Sequence, residues 1–397
     1  MRNEFENLPS SIEELVTRDL WKNWCFSDLV ENITEKVSPK ESGIKEYIGL
    51  THMDSGSLHV RRFGETEAIE GDKLRAYAGD IIFAKRNAYL KRVARIDNNV
   101  VVSAHALVLR AKPENVVPEF LPYFLLSECF WNTAIEISVG SLSPTINWKA
   151  LSKREFSLPP KDVQKKLAKI FLALDNQINS IISVKDKNKQ LVSCLVSEFF
   201  KSNSNNKVAL ENISDVKYGM TLNAKRKNLS LKYPYLRVAN VGRAKFSLDE
   251  IKEIGCTEDE ARKYQLESGD VLVVEGHADI KEIGRSALWL GNDQKMLHQN
   301  HLIRIRCDES KILPGVLNSY INSSYGKLYF QRHSKSTSGL NTINSSVVKK
   351  FKVPSIKLEK QNDYLKKKNH LLSQFEQIKT HLDNSNELFH SLINKVF

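Results

Sequence analysis

The chain has 397 residues, of which 41% are apolar and 27% charged, and its 59 Lys and Arg against 47 Asp and Glu leave a net charge of +12. That length asks for two or three domains, and no stretch approaches the roughly 18 uninterrupted apolar residues of a membrane span. Residues 1–10 are polar and lack the apolar centre of a signal peptide, so the expected location is the cytoplasm.

In chain order, residues 1–20 read as a loose polar start. Residues 21–150 read as a mixed, strand-rich domain with a short helix near 120–130. Residues 151–203 hold a first long helix and its lead-in, and residues 201–206, Lys-Ser-Asn-Ser-Asn-Asn, form a polar linker. Residues 207–345 form a second strand-rich domain, and residues 346–397 a second long helix. The expected fold class is α+β: two similar strand-rich domains with two long helices paired as an antiparallel coiled coil. Five dispersed cysteines, Cys25, Cys129, Cys194, Cys256 and Cys307, never form a C-x-x-C pair. They read as reduced, mostly buried thiols rather than as a disulfide framework or a zinc site.

The basic surplus favours an acidic partner, nucleic acid or an anionic surface, and its distribution is uneven. Residues 217–245 carry eight basic side chains and no acid: Lys217, Lys225, Arg226, Lys227, Lys232, Arg237, Arg243 and Lys245. Residues 85–95 carry five and no acid: Lys85, Arg86, Lys91, Arg92 and Arg95. Tyr89, Tyr218, Tyr233 and Tyr235 lie among them. Such clusters suit contact with a phosphate backbone; the plainer alternative is two solvated basic faces.

The chain also repeats itself. Thr145-Ile146-Asn147 recurs as Thr342-Ile343-Asn344, 197 positions on, and Gln164 recurs at the same offset as Gln361. With small drift, Gly79-Asp80-Ile81-Ile82 matches Gly269-Asp270-Val271-Leu272, a turn entering an apolar strand. The strand from His105 to Arg110 matches that from His301 to Arg306. A period near 200 is too long for a solenoid and means two related domains. After each repeated Gln, apolar residues recur in steps of 4 and 3. One series is Leu167, Phe171, Leu174, Ile178, Ile181, Lys185, Asn188, Val192, Leu195 and Phe199. Adding 197 gives Tyr364, Lys368, Leu371, Phe375, Ile378, Leu382, Ser385, Phe389, Leu392 and Val396, so that eight of ten positions are apolar in each. A 3.5-residue period held this long is a coiled-coil seam, about 48 Å at 1.5 Å per residue. Pro159-Pro160 and Pro354 mark the helix starts, and Asn188 and Ser385 stand as polar register markers in the seam.

Taken in order, these motifs resemble those of the specificity subunits of type I restriction-modification systems. The first half carries Tyr47-Ile48-Gly49-Leu50-Thr51-His52-Met53-Asp54, the run from Gly79 to Leu90, Pro118-Glu119-Phe120-Leu121-Pro122-Tyr123 and Gly140-Ser141-Leu142-Ser143-Pro144. The second carries Tyr235-Leu236-Arg237-Val238-Ala239-Asn240-Val241, the run from Gly269 to Gly276, and Gln299-Asn300-His301-Leu302. The resemblance covers nearly the whole chain from Trp21 onward. It implies two target recognition domains (21–150 and 207–345), each reading half of a bipartite DNA site. It also implies two conserved spacer helices (151–203 and 346–397) that set the spacing and dock two methyltransferase subunits. Restriction subunits would complete the complex. S-adenosylmethionine, ATP and magnesium would be used on those other subunits, and no cofactor by this chain. Ala104-His105 stands where relatives often carry a small residue and an acid.

Two other functions compete. An enzyme in one chain would need a catalytic Asn-Pro-Pro-Tyr or Asp-Pro-Pro-Tyr loop, a glycine-rich cofactor fingerprint or a phosphate loop, and none is present. Glu309-Ser310-Lys311 has a nuclease-like spacing without its Pro-Asp, and His298-x-x-His301 lacks the further ligands of a metal site. The second rival is a coiled-coil scaffold whose two domains bind protein, against which the acid-free basic stretches argue. Under the DNA reading, Lys85, Arg86, Tyr89, Lys91 and Arg92 follow the first Gly-Asp strand and supply phosphate and guanine contacts. Lys225 and Arg226 are backbone anchors. Arg237 and Asn240 follow a strand, with Asn240 suited to adenine. His277 and Arg285 lie in a loop that can enter a groove, His301 reads as structural or base-contacting, and Asn300 as a DNA-binding candidate.

Overall fold

The structure is a computed structural model that describes residues 17–291, 295–337 and 339–397. Most of the loose start expected over 1–20 lies outside the described residues. Contacts divide the chain into two compact units: residues 1–183 with 379–397, and residues 184–378. This division cuts across both long helices, which the linear segmentation places in segments of their own.

The first unit holds a four-stranded antiparallel sheet of β1 (Val30–Ile33), β2 (Ile81–Ala84), β3 (Val93–Arg95) and β4 (Ala106–Ala111), in the order β1-β4-β2-β3. The second unit builds the same sheet from β5 (Ser214–Tyr218), β6 (Val271–Val274), β7 (Ser286–Leu288) and β8 (Leu302–Cys307), in the order β5-β8-β6-β7. β2 and β6 are buried at all four positions, which is why each reads as an unbroken apolar run rather than an alternation. A smaller sheet in each unit repeats one parallel pair: Tyr47 beside Val101, and Tyr235 beside Leu297.

The repeated Gly-Asp turn has a physical reason. Gly79 (φ 92°) and Gly269 (φ 96°) take the left-handed conformation that side chains resist. The following aspartates are buried; Asp80 accepts the Tyr77 N–H and Asp270 the Glu267 N–H, at 2.9 and 2.8 Å. Each carboxylate also receives a bidentate guanidinium from the partner strand, Arg110 at 2.7 and 2.9 Å and Arg306 at 2.8 Å twice. The glycine turns the chain, the aspartate closes the turn, and the arginine neutralises the buried charge.

The repeated glutamines act the same way. Gln164 accepts the Val117 N–H at 2.8 Å and donates to the Pro159 carbonyl at 2.9 Å. Gln361 accepts the Leu313 N–H at 2.8 Å and donates to Ile356 and Lys311 at 2.7 and 2.9 Å. Each is 1% exposed and ties the root of a long helix to its own unit. Those helices are α1 (Lys161–Ser202) and α2 (Leu358–Val396). In the first unit, Leu167, Phe171 and Ile178 of α1 share a core with Leu382, Phe389 and Ile393 of α2. In the second, Phe199 stacks on Tyr364 with centroids 4.1 Å apart. Early α1 thus meets late α2, and late α1 meets early α2: the pair is antiparallel. All twenty seam positions are buried or half-buried, including the polar ones. Asn188 is buried with Oδ1 unpartnered among the described residues, and Lys368 donates to Ser319 at 2.6 Å.

Two details differ from expectation. The short helix near 120–130 is two, Leu121–Phe124 and Glu128–Glu136, because Ser127 caps the second, its hydroxyl accepting the Phe130 N–H. Of the cysteines, all free, only Cys256 is buried; Cys129 and Cys194, on helix surfaces, are exposed. Among the described residues, no helix is long and apolar enough to cross a membrane.

Candidate nucleic-acid interface

Each unit carries the same exposed tip beyond the central strand of its larger sheet. In the first unit, β2 runs into Lys85, whose carbonyl accepts the Ile146 N–H at 2.8 Å. In the second, β6 runs into Glu275, whose carbonyl accepts the Ile343 N–H at 2.9 Å. The next residue bridges a hairpin in both: Arg86 pairs with Thr145, and Gly276 with Thr342.

In the first tip, the Arg86 Nε donates to Ser143 at 2.9 Å and the Ser143 hydroxyl to Asn87 at 2.6 Å. Gly140 (φ 112°) turns a hairpin with Leu142, 96% exposed, at its end. Asn87 and Lys91 hold φ values of 56° and 44°. Two such non-glycine residues in one turn are the kind of backbone strain that collects at functional sites. Tyr89 between them is 58% exposed. In the second tip, the His301 Nδ1–H donates to Glu275 at 2.7 Å, since a carboxylate can only accept. Both line a cleft of about 420 Å³ with Gly276, Leu340 and Thr342.

The structure sorts the sequence candidates. Lys85, Arg86 and Tyr89 come together on the first tip, and His277 and His301 on the second. His277 accepts the Asp279 N–H at 3.0 Å. Asn300 is half-buried beside His301, with its N–H on the Met220 carbonyl. Lys225 is exposed and in no ion pair among the described residues. Lys91 pairs with Glu128.

Five candidates are engaged within the fold. Arg92 is buried and donates to the Leu50 carbonyl at 2.6 Å, with burial lowering its pKa. Arg226 holds Glu260 in a fork at 2.8 and 3.0 Å and the Thr221 carbonyl at 2.7 Å. That fork holds the Glu260 carboxyl below its ordinary value. Arg285 donates to Val241 at 2.7 Å and Val238 at 3.3 Å. Arg237 is half-buried and reaches Glu250 at 3.3 Å. Asn240 is 3% exposed; it accepts the Arg237 N–H and donates to the Ser247 and Glu250 carbonyls, all at 2.9 Å. No amide atom is left for adenine. His52 does the equivalent work in the first unit, accepting the Gly49 N–H. An acid-free stretch of sequence is therefore not an acid-free surface, because Glu250, Glu260 and Glu282 return to it from outside.

His298 is buried against the Tyr264 carbonyl, and burial pushes its pKa down to about 4. No metal-binding cluster occurs among the described residues. The residue missed by sequence reading is Glu275. Its signal was the Gly-Asp turn: counting from Asp80 and Asp270 puts Lys85 and Glu275 in register.

Residues 19–191 match the family described as the type I restriction modification DNA specificity domain. The chain is 23% identical over 309 residues to the type I restriction enzyme StySPI specificity subunit of Salmonella potsdam, covering 72% of this chain and 66%, just under two thirds, of that one. It is 21% identical over 313 residues to the EcoKI specificity subunit of Escherichia coli, again covering 72% of this chain and 66% of the relative. Its fold is that of the type I restriction-modification S subunit from M. genitalium (TM-score 0.57, 15% identity, 95% of this chain and 96% of that one). A structure described for complex assembly of the type I system gives TM-score 0.58 at 17% identity, covering 95% and 97%.

Proposed function

We propose that this chain, a type I restriction-modification specificity subunit, reads a DNA site of two blocks, one block per repeat unit, and supplies recognition rather than catalysis. The observation that carries the reading is the duplication. Strand order, buried Asp–Arg pair, glutamine tie and exposed tip all occur twice, each followed by a seam helix. A protein built this way has two reading heads and no reason for a continuous target. The tips suit the task because they combine exposed cations for phosphate with polar side chains for base edges.

In this reading the partners are duplex DNA and the other subunits of a restriction-modification complex. Two methyltransferase subunits dock on the helices, one per repeat, and restriction subunits complete the assembly in the cytoplasm. S-adenosylmethionine, ATP and magnesium belong to those subunits. The test is genome-wide mapping of methylated adenines in a host expressing this chain with its methyltransferase. Two defined blocks separated by unspecified bases are expected; one continuous motif would overturn the reading.

A further inference from the structure

We infer that Lys85 and Glu275 are one specificity-determining position used with opposite hydrogen-bond polarity in the two repeats, so that the two half-sites differ in the base read there. The inference rests on the two-headed reading above and adds the residue and the base class.

Equivalence is set by backbone. Both residues come directly after the buried central strand of the larger sheet. Both carbonyls accept the N–H of the isoleucine in the repeated Thr-Ile-Asn, Ile146 and Ile343. The histidines preceding the paired strands correspond as well: His105 comes before β4, and His301 before β8. What differs is the side chain. Lys85 is half-exposed, and its ammonium has no carboxylate partner among the described residues. An ammonium can only donate, and the base edge with two adjacent acceptors in the major groove is guanine, through O6 and N7. Glu275 can only accept. His301 Nδ1–H donates to one oxygen of that carboxylate at 2.7 Å, and a carboxylate has a second oxygen able to accept. The second tip therefore presents the Glu275 carboxylate as an acceptor in an open cleft that Lys335 and His333 also line. Such an acceptor matches a donor edge, and cytosine N4 is the pairing expected for a carboxylate. On duplex DNA both contacts select a G·C pair, the first unit meeting its guanine and the second its cytosine, so the pair is expected in opposite strand orientation relative to the two tips.

The test uses the full chain co-expressed with its methyltransferase, carrying Glu275→Gln, Glu275→Lys or Lys85→Glu, with Lys225→Ala as a control that should keep the sequence preference. Methylation mapping is paired with affinity selection from randomised duplexes, which needs only binding and so covers any variant that no longer methylates. Glu275→Gln should relax one position of one block about 5- to 150-fold, leaving the other block intact. Glu275→Lys should shift that position toward guanine. Lys85→Glu should change one position of the other block. Unchanged blocks in Glu275→Gln and Lys85→Glu would overturn the inference while leaving the two-headed reading standing, as would changes falling in the same block. A continuous motif in the parent chain would instead overturn the underlying reading.

Discussion

Replacing Gln361 by Ala should destabilise the second unit more than replacing Gln164 by Ala destabilises the first. Gln361 satisfies three backbone groups, the part-buried Leu313 N–H and Lys311 carbonyl and the buried Ile356 carbonyl; Gln164 satisfies two buried ones, the Val117 N–H and the Pro159 carbonyl. A buried polar group left without its partner costs about 1–3 kcal/mol. Taking the lower half of that range, because a carbonyl tolerates orphaning better than an N–H, Gln361→Ala should cost about 3–6 kcal/mol and Gln164→Ala about 2–4 kcal/mol. Gln361→Glu is sharper. It keeps an acceptor for the Leu313 N–H but aims a second oxygen at two carbonyls. The protonated form is then favoured, and the folded pKa rises above the unfolded value of about 4.3. That variant should be markedly unstable at pH 7 and regain stability as pH falls through the raised folded value. The assay is urea unfolding followed by tryptophan fluorescence. Trp289 reports on the second unit and Trp21, Trp24, Trp131 and Trp148 on the first, so each transition is fitted separately rather than as one two-state event. A Gln361→Ala transition within about 0.5 kcal/mol of the parent would refute the claim that this side chain holds the helix root to its unit.

Three other outcomes follow from the sorting of side chains. Lys225→Ala should lower the slope of log affinity against log salt by about 0.9 if it contacts one phosphate, whereas Arg226→Ala should leave the slope alone and cost about 1–3 kcal/mol of stability by unpairing Glu260 and the Thr221 carbonyl; salt titrations and melting curves separate the two. Asn240→Ala should destabilise the turn over residues 237–250 without altering the methylated sequence, and a relaxed motif in methylation mapping would show that the side chain reads a base after all. His298 has a folded pKa of about 4 against 6.5 in an unfolded chain, so its contribution is fully present above about pH 6.5 and is lost as pH falls toward 4, on the order of 3 kcal/mol. His298→Phe should flatten the pH dependence of stability over that window, and an unchanged slope in pH-resolved denaturation would count against it.

Much of the architecture was legible in the residues because it rests on local and periodic signals. A 3.5-residue apolar period means a seam whatever surrounds it, and two seams in one register within a duplicated chain mean two helices that cover each other's stripe. Gly-Asp before an apolar run means a turn into a buried strand, and the Pro-marked helix starts are local chemistry too. What the linear string does not carry is which charges meet. Arg226 and Glu260 are thirty-four positions apart, Arg92 meets a carbonyl forty-two positions away, and the amide of Asn240 is spent on two carbonyls beyond its own turn. Counting basic residues along the chain therefore ranked the stretch over 217–245 too high, since whether a cation is free for DNA depends on acids that folding brings to it. The Gly-Asp turns put Lys85 and Glu275 in register along the chain; only the tertiary structure showed that both stand at a tip, each backbone carbonyl tied to the isoleucine of the repeated Thr-Ile-Asn, Ile146 and Ile343, because long-range pairing decides which loop meets the end of each strand.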